Sequence, residues 1–273
     1  MKLYTIGCSH THGTESALGP NYREQNWAAR LFKMLKGKDS HDYWHDNSMS
    51  GCNNKILCSN VVNDLSSDMR PDHAVIQFTY PTRFWTPHSS EGADQNHLRS
   101  LKNFGQPYTF GKFHQPDGTY TYTQGDGFGC DPKETITNID VEFYKQYYRG
   151  RVPQQAATVH MMTDIKLIQT FLKSIDIPYT LIVWPRIFAI CYNNVEKTID
   201  HSTVLNYDNG EYFDMDKLMP SHGHHYPKHT RHFRADAQQF IAESVYKHIT
   251  MGTKLVPRHK MHTSNEVFID SVY

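Results

Sequence analysis

"TDIKLIQTFLKSIDIPYTLIVW", Thr163 to Trp184, decides the fold. Its first half repeats apolar residues at helical spacing, with Ile165, Leu167, Ile168, Phe171 and Leu172 read as one face. Its second half, "IPYTLIVW", is a short apolar β-favouring run of the kind buried on both sides of a sheet. The same alternation extends outward. Leu3–Ile6 reads as a strand closed by Gly7, and "NWAARLFKML" (Asn26–Leu35) as a helix stopped by Gly37. "HDYWHD" reads as a second strand, Lys55–Leu65 as a helix, and "HAVIQF" (His73–Phe78) as a buried strand before Pro81. "VEFYKQYYRG" also reads as helical, and "ADAQQFIAESVYKHI" (Ala235–Ile249) is the last strong helix. Alternating strands and helices predict an α/β fold, a central parallel sheet with helices on both faces.

With 273 residues the chain suits one large domain, expected over 1–250. Residues 86–150, rich in Gly, Tyr, Phe, His and Pro, read as an irregular insertion over the core, with a β-like alternation in "TYTYTQGDGFG". The polar stretch 251–273 reads as a loose C-terminal extension. The formal charge is zero, so no electrostatic footprint for nucleic acid is present. No apolar run approaches the roughly 20 residues of a membrane span. The first apolar run is too short for a signal peptide, and the five scattered cysteines (8, 52, 58, 130, 191) form neither a disulfide framework nor a Cys-x-x-Cys knuckle. A cytoplasmic protein is expected.

In a parallel sheet, ligands sit at the carboxyl ends of the strands. That rim should gather Ser9, Gly51, Asn54, residues 79–83 and residues 184–186. A serine hydroxyl needs a base to attack, and histidine is the usual one. Histidines crowd "SHGHHYPKHTRHF" (Ser221–Phe233), just before the last helix. Plain structural readings stand beside these. Ser9 and Asn54 are good helix caps, Gly51 suits a positive φ, and Arg83 suits a surface ion pair.

"GCSHT" (Gly7–Thr11) resembles the first block of the SGNH (GDSL-like) hydrolases, with Cys8 in place of the acidic residue. "SMSGCNNKIL" (Ser48–Leu57) resembles their second block, and "HFRADAQQFIAESV" (His232–Val245) their last. The resemblance covers roughly residues 1–85 and 155–250 and implies a flavodoxin-like three-layer α/β/α sandwich. It implies a serine esterase with Ser9 as nucleophile and His232 as base. The oxyanion would be held by the main chain of Ser9 and Gly51 with Asn54, and no cofactor or metal is needed. The implied substrate is a small-molecule or carbohydrate ester. Two positions depart from the pattern. "FTYPTRF" (Phe78–Phe84) lacks the asparagine of the third block, leaving Asn54 or the Thr79 hydroxyl as donor and Arg83 to meet an anionic substrate group. His229 stands where the family has an acid three residues before its histidine and can orient His232 as a neutral imidazole; a Ser-His dyad, a triad with an acid from elsewhere, or a weakened site is expected. Two alternatives remain open. One is a metal-dependent hydrolase using His10, His12, His222, His224, His225, His229 and His232. The other is a non-catalytic glycan- or partner-binding protein that keeps the fold.

Overall fold

The computed structural model describes residues 1–13, 18–37, 41–49, 52–66, 69–79, 84–87, 107–114, 120–126, 154–184, 195–225 and 232–258. Its strands are β1 (Lys2–Ile6), β2 (Tyr43–Asp46), β3 (His73–Phe78), β4 (Phe84–Pro87), β5 (Pro107–His114), β6 (Tyr120–Asp126), β7 (Tyr179–Val183), β8 (Tyr207–Asp208) and β9 (Glu211–Tyr212). Its helices are α1 (Ser9–His12), α2 (Tyr22–Gln25), α3 (Trp27–Leu35), α4 (Asn54–Leu65), α5 (Gln154–Ser174), α6 (Met215–Ser221) and α7 (Ala235–Met251).

β1, β2, β3 and β7 form a parallel sheet in the order β2-β1-β3-β7. Alternate side chains of each strand face opposite layers. Tyr4, Ile6, Ala74, Ile76, Phe78, Leu181 and Val183 meet α4 and α5 on one face. Leu3, Val75 and Ile182 meet α3, α6 and α7 on the other. The result is the expected three-layer α/β/α sandwich. All four strands end at the same rim, and the chain leaves β1 at the point where the strand order reverses.

The helix ends have visible causes. Asn26 caps α3 by accepting from the Ala29 N–H at 2.8 Å, and Asn53 caps α4 by accepting from Ile56 N–H at 3.0 Å. Of the five residues read as one face of α5, Ile165, Ile168 and Leu172 are buried and Phe171 is half-buried, whereas Leu167 is exposed; Met161 and Met162 extend the buried stripe by a turn. α5 also begins nine residues before Thr163, at Gln154. The helix expected over "VEFYKQYYRG" lies outside the described residues.

Between β3 and α5 in the chain, β4, β5 and β6 form a separate antiparallel sheet, with β6 on the "TYTYTQGD" alternation. Of the stretch expected as a loose C-terminal extension, residues 251–258 are described and docked, and 259–273 lie outside the described residues. After Gly252 closes α7, the Leu255 N–H donates to the Leu205 carbonyl at 2.9 Å and its side chain is buried. The Lys254 ammonium donates to the carbonyls of His201, Ser202 and Val204 at 2.7, 2.8 and 2.6 Å. Leu255 and Val256 on the core, with the Lys254 contacts, dock this polar stretch. Among the described residues no helix is long and apolar enough to cross a membrane.

Candidate active site

The turn after β1 is made possible by Gly7. A Cβ there would lie 2.2 Å from Thr11 Oγ1 and 2.8 Å from Gln77 Oε1. Gln77, fully buried on β3, staples this turn. Its Oε1 accepts from the Thr11 hydroxyl at 2.6 Å, and its Nε2 donates to Cys8 Sγ at 3.3 Å and to the Phe78 carbonyl at 3.2 Å. Cys8 therefore serves a position where the resemblance expects an acid: its thiol is buried in the apolar core against the Gln77 amide of β3. Cys8 is the N-cap of α1, and its carbonyl accepts from Thr11 and His12 N–H, both at 3.0 Å. Ser9 is the first residue of that short helix, is 6% exposed, and caps nothing. The capping reading of Ser9 thus falls away.

A second arm reaches the same place from the far end of the chain. Phe233, just before α7, is fully buried and packs on Trp184 at the end of β7, ring centroids 6.1 Å apart. The ring of His232 then lies 5.0 Å from that of His10, the residue after Ser9. His10 in turn stacks on the Trp184 indole at 3.8 Å and 15°. Gln238 holds the arm. Its Oε1 accepts from the Trp27 N–H at 2.9 Å, and its Nε2 donates to the Phe233 carbonyl at 3.4 Å.

Asn54 turns inward from the first position of α4. Its Oδ1 accepts from the Thr79 N–H at 2.8 Å and its Nδ2 donates to the Thr79 carbonyl at 3.1 Å. The capping role considered for Asn54 belongs to Asn53. One Asn54 amide hydrogen remains beyond this clamp. The Thr79 hydroxyl and the Asn53 Nδ2 are buried and have no hydrogen-bond partner among the described residues. At the end of β2, Asp46 accepts from Thr5 Oγ1 at 3.0 Å and from Ser48 N–H and Oγ at 3.1 and 2.5 Å. Burial pushes the Asp46 carboxyl above its ordinary range despite these bonds. Burial, aided by the Arg23 charge, lowers His12, which faces the Gly13 carbonyl at 3.1 Å. Gly51, Arg83 and His229 lie outside the described residues.

Two histidines of the cluster before α7 have structural partners. His222 Nε2 meets the Val256 carbonyl at 2.8 Å, His224 Nδ1 meets Asp236 Oδ2 at 3.1 Å, and both rings rest on Phe240. Among the described residues no group of three or more His, Cys, Asp or Glu side chains is placed to hold a metal ion. The sequence reading missed Gln77 and Asn53, and took His10 only as a metal ligand; the pairing of His10 with Trp184, far apart in sequence, left no local signal.

No family model and no curated protein matches this chain. Among solved structures it is similar to the psychrotrophic esterase EstA from Pseudoalteromonas sp., in a structure inhibited by monoethylphosphonate, with 11% identity, a TM-score of 0.46, and coverage of 91% of this chain and 97% of that one.

Proposed function

We propose that this chain is a serine hydrolase of SGNH type that cleaves carboxylic esters of small molecules or carbohydrates. The observation that carries the reading is the 5.0 Å approach of the His232 ring to His10, which brings a histidine from before the last helix to the residue beside Ser9. Ser9 Oγ attacks the ester carbonyl while His232 takes its proton. The resulting oxyanion is met by the main-chain N–H groups of Ser9 and Gly51, with the free amide hydrogen of Asn54. His232 then gives its proton to the leaving alcohol, leaving an acyl-serine. Water attacks that acyl group, again losing its proton to His232, and the acid departs as Ser9 recovers its hydrogen. Thr79 offers a buried hydroxyl to the substrate, Arg83 meets an anionic group, and His229 orients His232.

Labelling of the purified protein with a fluorophosphonate probe, followed by mass spectrometry, tests this. An adduct on Ser9 that disappears in Ser9→Ala and His232→Ala is expected. Folded protein that does not label overturns the reading. The engagement of Asn54 with Thr79 favours one competitor, a non-catalytic protein that keeps the fold and binds a glycan or partner. It predicts ligand binding with no turnover on any ester.

A further inference from the structure

We propose that His10 is a positioning residue for His232, holding its imidazole plane by ring contact from a platform made by Trp184. This rests on the reading of Ser9 and His232 as nucleophile and base.

His10 follows Ser9 directly, but adjacent residues of a helix do not face one another, so His10 is badly placed to serve as the base itself. Its ring is instead turned to Trp184, at 3.8 Å and 15°, and to His232, at 5.0 Å and 42°. The His232 separation falls in the range of about 4.5–7 Å in which aromatic rings pack favourably, and the stack on Trp184 is closer still. The platform is rigid. The Trp184 N–H donates to the Phe78 carbonyl at 3.1 Å, its carbonyl accepts from the Met215 N–H at 2.9 Å, and its indole N–H donates to Asp216 Oδ1 at 2.8 Å. Trp184 is fully buried and His10 is 5% exposed, so both rings are packed on nearly all sides. Trp184 also supports Phe233, so one indole sets both His10 and the backbone that carries His232.

A base of this kind needs its ring plane held, a task usually given to a hydrogen-bonded acid. The acid's place in this sequence is His229. His10 adds planar restraint to the His232 ring through packing.

The test measures kcat and KM for p-nitrophenyl acetate with the full chain carrying His10→Ala, His10→Leu or His10→Phe, with circular dichroism to verify folding. A misplacement of the base predicts a kcat lower by about 100-fold in the Ala and Leu variants with KM nearly unchanged. Phe restores a flat ring and recovers most of kcat. Leu fills the volume without a plane and keeps the test decisive if Ala does not fold. Leu with wild-type kcat, or Phe as slow as Leu, overturns the inference while leaving Ser9 and His232 in place. Folded wild-type protein that neither hydrolyses the ester nor labels at Ser9 overturns the parent reading, and this one with it.

Discussion

Asn54 grips the main chain of Thr79 from both sides, accepting its N–H at 2.8 Å and donating to its carbonyl at 3.1 Å. A side-chain amide is the one neutral group that can extend a strand's hydrogen-bonding pattern in this way. It fastens the start of α4 to the end of β3, directly at the rim where the candidate site lies.

Removing that grip exposes its worth. Asn54→Ala leaves a buried donor and a buried acceptor without partners, each costing about 1–3 kcal/mol. Urea denaturation should show a loss of at least about 2 kcal/mol. Asn54→Asp keeps the acceptor but sets a carboxylate against the Thr79 carbonyl, and should be no better. A change below about 0.5 kcal/mol in the Ala variant would mean that the clamp contributes nothing to stability.

Gly7→Ala forces a methyl group into the Thr11 and Gln77 side chains, both fully buried and bonded to each other. Such overpacking costs about 1–3 kcal/mol. The displaced turn carries Ser9, so fluorophosphonate labelling should slow as well. Adding Thr11→Ala removes the nearest obstruction and should recover part of the stability. A double variant no more stable than Gly7→Ala alone would place the strain elsewhere.

Gln238 joins Trp27 to Phe233 across two helices. Gln238→Leu deletes both bonds, leaving the buried Trp27 N–H and Phe233 carbonyl to find others. Loss of about 1–3 kcal/mol is expected in thermal or urea unfolding. Labelling of Ser9 should fall too, because residue 232 hangs from residue 233. Full labelling in a destabilised variant would show that the His232 arm is held by packing alone.

His73 governs an acid-sensitive part of stability at the opposite end of β3. Burial, assisted by the nearby His248 charge, lowers it from 6.5 to about 4, and its Nε2 faces the Thr180 hydroxyl at 2.9 Å. The folded protein keeps this ring neutral where the unfolded chain protonates it. The unfolded state therefore binds more protons between those values, and stability falls as pH drops from 6.5 towards 4. The largest contribution from this ring, for a shift from 6.5 to about 4, is about 3 kcal/mol. His12, His222 and His248 are lowered in the same sense, whereas Asp46 and Asp164 are raised and act in the opposite one. The slope that disappears in His73→Gln, measured by urea unfolding at several pH values, isolates this residue. Parallel curves for the two proteins would refute the assignment.

The apolar strands were legible in the sequence because burial on both faces needs a continuous apolar run, and "HAVIQF" coincides with β3 residue for residue. α6 was not. It is seven residues long, contains Pro220, and is held by its Asp214 cap and by packing of Met215, Leu218 and Met219 rather than by periodicity. At the site, strand order pointed to Ser9 at the rim, whereas His232 was reached only through the resemblance of the motif before the last helix. The division of labour between Asn53 and Asn54 was not legible, because helix phase alone decides which neighbour caps and which turns inward. His10 was opaque for a related reason: its partner Trp184 arrives from another strand.

The contact between His10 and His232 also has a meaning in time. It joins the first turn of the sheet to the arm that precedes the last helix, so nearly every layer must be assembled before the two rings can meet. Contacts of such long sequence separation form late, once shorter-range structure has reduced the entropy of closing the chain. A chain still emerging from the ribosome, with β1, β2, β3 and β7 already synthesised, would carry Ser9 before the His232 proposed as its base. Reactivity at Ser9 would then report the last stage of folding, and a pulse of labelling during refolding would date the docking of the final helix.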